Sequence, residues 1–580
     1  MYLRPLFLIF FSLFFSMATR AAEDNICGQI YVKDGKLKLN TNEKTLVCGS
    51  DKGSDAWKEI PFPQAEFHLK AIVLNLGYLN PRFDRTVDRL NVWLGGRSEF
   101  KSLQVVGATG VLDPSRKRKI IGEPLIPENI NAVEAWANFG IRSQGYACPQ
   151  LKLEAHAWDG ALQVVADLGG VKKYAPLQHD DMDALNADIL DRYQPFETGQ
   201  IYDIRETQIM ADRMLADGLF QSAYFVTKCE ADQANLYLKT SVGKPKIFRF
   251  GVGASTEELP FLDFTFKNAR LDNKASSFTL TLHASPRIES LAGTSELYFF
   301  PGWHRTFFGP RFRLAHENED SYETNSAKAG ADIGRNWDEW GLRFSGRWGP
   351  TMNYVKTLRG IGPDNASYPT IDGSMSMMSH NYESSIRDQF EGWSSNIFYR
   401  GQGKGLGSKV DVNRYEMQIK HLWNMGAYGP PLFVLGSRID AVTVDANEIE
   451  EGKESFDLIP IDERVYLGGD QDLRGFPRKS INNEQLGYLS SLYLGFELRL
   501  VEELPYHLQP FLLWDSARLG NRRYTLEGAT FISEGLGLRW ASPFGTLRVS
   551  AAQGRILNQD QTRESAPDKF VFFFSFGQEF

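Results

Sequence analysis

Two hydrophobic rhythms divide this chain near residue 247. Before that point, apolar residues recur at helical spacing and these stretches alternate with short apolar runs. After it, a period of two takes over. In the segment 278–283, Phe278, Leu280 and Leu282 share one face, and Thr279, Thr281 and His283 the other. The segment 492–500 repeats the pattern, with Tyr493, Glu497 and Arg499 on its polar side. In a water-soluble sandwich the apolar face is the core; in a membrane barrel it meets lipid and the polar face lines a wet bore. The ~330 residues after 247 suffice for sixteen strands of ~10 residues with their connections. Polar stretches at 360–379 and 445–461 read as long loops between strands.

The first rhythm is repeated. A helical pattern ends in glycine three times, at 67–76 before Gly77, 133–141 before Gly145, and 209–215 before Gly218. Glycine is expected there because it accepts the left-handed backbone that releases a helix. The spacing of about 70 residues is that of a small module in tandem. Each helix end is followed by a charged extended stretch and an apolar strand, at 90–95, 162–165 and 236–238, and 103–107 opens the next unit. The order in each unit is strand, two helices, strand, strand. This predicts modules at 23–102, 103–170 and 171–246, followed by a strand-rich region at 247–580.

Residues 1–22 read as a secretory signal peptide: Arg4, then an apolar run at 6–15, then small residues at Ser16, Ala18, Ala21 and Ala22. No later segment offers the ~20 apolar residues of a membrane helix. A net charge of −8 argues against a nucleic-acid partner. An exported chain meets an oxidising compartment, so its four cysteines are free to pair. Cys27 and Cys48 are the nearest in sequence and the first candidates; Cys148 with Cys229 is a weaker pairing, and three connectivities stay open. With no Cys-x-x-Cys spacing and scattered histidines, no metal is expected. With no Gly-x-Ser-x-Gly elbow, neither an enzyme nor a cofactor is expected.

The candidate machinery lies in the last third. Arg474 sits in the run 467–476 on a loop flanked by Gly468, Gly469 and Gly475, while Glu497 and Asp515 lie on the polar faces of two later strands. A guanidinium forks onto a carboxylate through two parallel hydrogen bonds. These residues resemble the outer-membrane assembly superfamily that includes BamA, TamA and the two-partner-secretion transporters. Gly468 through Phe476 match its Arg-Gly-aromatic loop. Leu513-Trp514-Asp515-Ser516-Ala517 matches its Phe-x-Asp-x-Gly strand, with Leu513 for the phenylalanine and Ala517 for the last glycine. The segments 535–545 and 574–580 match its penultimate hairpin and C-terminal strand. Three modules and the barrel opening at 247–256 bring the chain nearest the TamA branch.

The resemblance implies a transmembrane antiparallel β-barrel of sixteen strands, preceded by three periplasmic α+β POTRA domains in the outer membrane. The polar stretches then become extracellular loops. One loop is pinned into the bore by Arg474, Gly475 and Phe476 against Glu497 and Asp515. A lateral seam joins Phe248, Gly251 and Gly253 to Phe574, Phe576, Gly577 and Phe580, in strands that glycine weakens. The implied partners are the bilayer, unfolded β-barrel clients of autotransporter and other types, and an inner-membrane-anchored, periplasm-spanning TamB-like protein. The other reading is an export pore for one dedicated secreted protein.

Overall fold

The computed structural model describes residues 24–27, 30–49, 60–180, 182, 185–299, 305–383, 389–446, 458–542, 545–557, 563–565 and 570–576. The expected signal peptide, together with Gly577 and Phe580 of the expected seam, lies outside them. No described helix is long and apolar enough to cross a membrane, which says nothing of strands. The chain packs as two compact units, one running to Ile141 and adding Pro149–Leu168, the other joining Arg142–Cys148 to the residues from Gly169 onward.

Three small mixed sheets share one plan. In the first, Ile30–Val32 runs parallel to Leu90–Trp93, which pairs antiparallel with Arg82–Arg85. Ser102–Val106, Ala161–Asp167 and Gln150–His156 take those places in the second. Lys173–Tyr174, Gln233–Val242 and Phe220–Glu230 take them in the third. Each time the last strand is central and carries the apolar alternation, so Leu90, Val92, Leu162, Val164, Leu236 and Leu238 are all fully buried. The helices Phe62–Asn75, Pro127–Arg142 and Ile204–Asp217 bury Leu69 and Val73, Val133 and Ala137, and Met210 and Met214, one turn apart on one face. Gly77, Gly145 and Gly218 follow these helices with φ of +91°, +99° and +75°.

The expectation of two helices per module holds only in the first, where Thr41–Cys48 precedes Phe62–Asn75. In the second and third the earlier helix shrinks to short 3₁₀ segments, Pro114–Arg116 and Ala187–Arg192. Gly122 and Pro124 in one, and Pro195 and Gly199 in the other, disfavour a longer α-helix. Cys27 is joined to Cys48 and Cys148 to Cys229.

Glu206 gives the third module a pH dependence. It is buried on the helix Ile204–Asp217; Gln200 Nε2 donates to its Oε1 at 3.0 Å, and its Oε2 has no partner among the described residues. Burial pushes this carboxyl up to about 7, from an ordinary 4.5. A raised carboxyl contributes its stability in full below 4.5 and loses it as pH rises through 7. The loss amounts to about 3 kcal/mol. In pulse proteolysis of the full chain in detergent, the third module should weaken by about that much up to about pH 8. Glu206→Gln should flatten the profile; a variant as pH-sensitive as the parent would refute this account.

From Lys246 a single sheet runs in sequence order, each strand antiparallel to the next, to Val571–Phe576. Arg563–Ser565 and Val571–Phe576 both pair with Gly545–Leu557 and share one place, so seventeen segments fill sixteen positions. Alternation sorts the faces. On Leu508–Gly520, Gln509, Phe511, Leu513, Asp515 and Ala517 point inward and are buried, while Leu512 and Trp514 point outward. Leu536, at the midpoint of Thr530–Ser542, is 63% exposed on the outer face. Leu536→Arg should cost roughly 2–4 kcal/mol if that face meets the bilayer midplane. The measurement is the yield of heat-modifiable barrel, and a parental yield would contradict the assignment.

The expected loop at 360–379 is corrected. Asn365–Ser379 is a full strand, and only residues 360–364 turn. Its Ser, Gly, Asp and Pro content looks like loop, yet Tyr368, Thr370 and Asp372 alternate inward and find hydrogen-bonding partners there. Of the loop expected at 445–461, Asp445 ends the strand Phe433–Asp445, and 447–457 lie outside the described residues.

Candidate functional site

The connection between Phe433–Asp445 and Ser490–Leu500 folds back against the inner wall. Gly475 makes this approach possible: a Cβ there would meet Ser533 Cβ at 2.4 Å and Gly554 Cα at 2.7 Å. Beside it, the buried Phe476 packs edge-on against Phe531, with ring centroids 5.6 Å apart. Arg474 is therefore delivered to the wall with no side chain between the backbones.

Each of the three guanidinium nitrogens donates there. Arg474 Nε donates to Asp515 Oδ2 at 2.9 Å and Nη2 to Asp515 Oδ1 at 2.6 Å, the bidentate fork. Nη1 donates to Glu497 Oε2 at 2.7 Å, and the Arg474 backbone N–H to Asp515 Oδ2 at 3.1 Å. All three side chains are fully buried. Further residues of the cluster escape sequence reasoning. Tyr493 Oη donates to Asp515 at 3.0 Å, Arg499 Nε to Glu497 at 2.7 Å, and Arg548 also pairs with Glu497. Their only sequence signal is their inward register. Breaking such a buried pair by removing one partner costs about 3–5 kcal/mol.

The entry limb of the same loop is also held. Arg400 Nη1 donates to Glu463 Oε1 at 3.0 Å, and Lys328 Nζ to Asp462 Oδ2 at 2.7 Å. Elsewhere, Asp338, His380 and Glu383 lie close enough to share a metal ion. Arg213 of the third module already donates to Asp338 and Glu383 at 2.6 Å each, so both carboxylates are engaged.

The seam residues are distributed less simply. Among the described residues, two backbone hydrogen bonds join the first barrel strand's end to the last strand. The Thr256 N–H donates to Phe574 O at 2.9 Å and the Phe576 N–H to Ala254 O at 3.2 Å, with Ser255 opposite Ser575. By contrast, Lys246–Gly253 pairs with Phe261–Asn268 along its whole length. Phe248 points outward, 66% exposed, against Phe266. Phe248, Gly251 and Gly253 have no described partner on the last strand. Gly253 leaves room for Phe261, whose ring would stand 2.0 Å from a Cβ there.

A sixteen-position antiparallel barrel with an apolar exterior, a charged interior, a loop pinned inside and modules before it defines an outer-membrane β-barrel with periplasmic domains. The Omp85 superfamily domain matches residues 242–580, and the chain belongs to that superfamily. Members act in β-barrel assembly or in two-partner-secretion export, without catalysis, and engage the outer membrane and client proteins. Solved structures with a similar trace include BamA from Haemophilus ducreyi lacking POTRA domains 1–3, at 15% identity and TM-score 0.49, covering 78% of this chain and 94% of that one. CdiB from Acinetobacter baumannii gives 13% and 0.45, covering 83% and 89%. CdiB from Escherichia coli gives 12% and 0.46, covering 89% and 97%.

Proposed function

We propose that this protein is a TamA-like assembly factor that inserts β-barrel clients, autotransporters among them, into the outer membrane through its own lateral seam. The observation that carries the reading is the contrast between the two backbone bonds that join the first strand to the last among the described residues and the fully paired strands beside them. A seam this sparse opens at low cost and exposes two strand edges, which template an incoming strand by β-augmentation. The three modules, divided near 103 and 171 and ending at 246, are POTRA domains whose edge strands, such as Phe220–Glu230, suit capture of unfolded clients. A TamB-like periplasm-spanning protein docks on the first of them. Arg474, Gly475, Phe476, Glu497 and Asp515 act as the latch that holds the loop in the bore.

The test is reconstitution. Liposomes carrying the full chain should convert a urea-unfolded autotransporter β-domain to its heat-modifiable form faster than empty liposomes. Equal rates would end the proposal and leave the dedicated export pore as the surviving reading.

A further inference from the structure

A second charged cluster ties the same loop to the barrel, and it does so beside the seam. Four residues after Arg474, Arg478 donates from Nε and Nη2 to Glu319 at 3.1 and 2.8 Å. Its Nη1 lies 3.3 Å from both Glu257 Oε2 and Glu258 Oε1. The Asp470 N–H donates to Glu257 Oε1 at 2.7 Å, and Lys479 Nζ reaches Glu319 at 3.0 Å. The three glutamates are withdrawn from solvent, with side-chain exposures of 11, 9 and 1%. Among the described residues they also face Arg287, 3.5 Å from Glu319, His283, 3.1 Å from Glu258, and the loop's own Asp470, whose negative charge acts on Glu257. Without Arg478, Glu257 and Glu258 would lose their guanidinium and repel each other, while Glu319 would keep Lys479 and Arg287.

Glu257 and Glu258 belong to the turn 255–258, and that turn is also the seam. Thr256 supplies its first hydrogen bond, and Ser255 faces Ser575. Ser255 Oγ accepts from the N–H groups of Glu257 and Glu258 at 3.3 and 2.9 Å, which ties the glutamates to the seam edge. The loop backbone presses on it: a Cβ at Gly469 would meet Glu257 Oε1 at 2.4 Å.

We propose that Arg478 is a positioning residue for the seam. By neutralising Glu257, Glu258 and Glu319 from the loop, it holds the 255–258 turn against the last strand. Withdrawal of the loop then frees the seam at the end away from the third module. The inference rests on the seam as the client's exit, yet its test needs no client.

The facing pair Ser255 and Ser575 reports closure when both are replaced by cysteine in the full chain, folded in detergent; the four native cysteines are already paired, and every chain compared carries the same weaker sulfur acceptor at position 255, so its effect cancels. In that background Arg478→Gln should slow cross-linking under mild oxidation about tenfold. In a chain already carrying Glu257→Gln and Glu258→Gln, Arg478→Gln should slow cross-linking no further, because the charge beside the seam is gone and Glu319 keeps Lys479 and Arg287. A residue that merely packs would slow both backgrounds equally; that result, or parental cross-linking in folded Arg478→Gln, overturns the proposal. Should Arg478→Gln not fold, Glu257→Gln with Glu258→Gln alone decides. It should slow cross-linking about threefold, and a parental rate overturns the tie. A chain that shows the coupling but inserts no client refutes the proposed function and leaves this inference standing. An active chain without the coupling does the reverse.

Discussion

Replacing Arg474 by alanine is expected to release the loop from the bore while the barrel stays assembled. The variant strips Asp515 of its fork and of the one cation paired with it among the described residues, leaving it the residue-474 backbone N–H, Tyr493 and Ser533 as partners while the loop stays docked. Glu497 keeps Arg499 and Arg548. The burden therefore falls on one buried carboxylate, and about 3–5 kcal/mol shifts the docked loop toward release by two orders of magnitude or more. No strand-to-strand hydrogen bond passes through the Arg474 side chain, so heat-modifiable migration should be unchanged. Two readouts follow: protease should cut within 478–487 in Arg474→Ala but not in the parent, and client insertion should slow. Arg474→Lys should fall between them, since an ammonium keeps the charge and loses the planar fork. A protected loop, or insertion at the parental rate, would refute the latch.

The latch triad is legible in the sequence because alternation assigns a face to every strand residue. Glu497 and Asp515 fall on polar faces, and an arginine among glycines is the natural counter-ion. Arg548 is not legible. It reaches Glu497 across the interior from the strand Gly545–Leu557, and face assignment says nothing about which inward residues meet across a bore. The seam shows the same limit: the chain closes at 254–256 against 574–576, a register that depends on stagger accumulated around the whole barrel. The strand Asn365–Ser379 is misread for a different reason. Its inward face is so polar, and Pro369 and Gly373 so loop-like, that composition masks a period of two. Only a polar bore on one side makes Tyr368, Thr370 and Asp372 sensible strand residues.

A disulfide between positions 255 and 575 is expected to abolish client insertion, and reduction to restore it. The two backbone hydrogen bonds described at the seam contribute only about 0.5–1.5 kcal/mol each. Opening there is thus within thermal reach, whereas the neighbouring Lys246–Gly253 and Phe261–Asn268 pair holds along its whole length. A covalent bond at the Ser255–Ser575 bridge removes that opening and leaves the Arg474 latch and the modules untouched. The oxidised variant should insert clients at the rate of empty liposomes, with the parent chain under the same oxidation as control. The same lock separates the two readings of this fold, because a secreted polypeptide threading the bore needs no open seam. Export that continues through a locked barrel would identify a dedicated pore. Client insertion that continues through it would show that strands do not leave by this route, and the lateral mechanism would have to be abandoned.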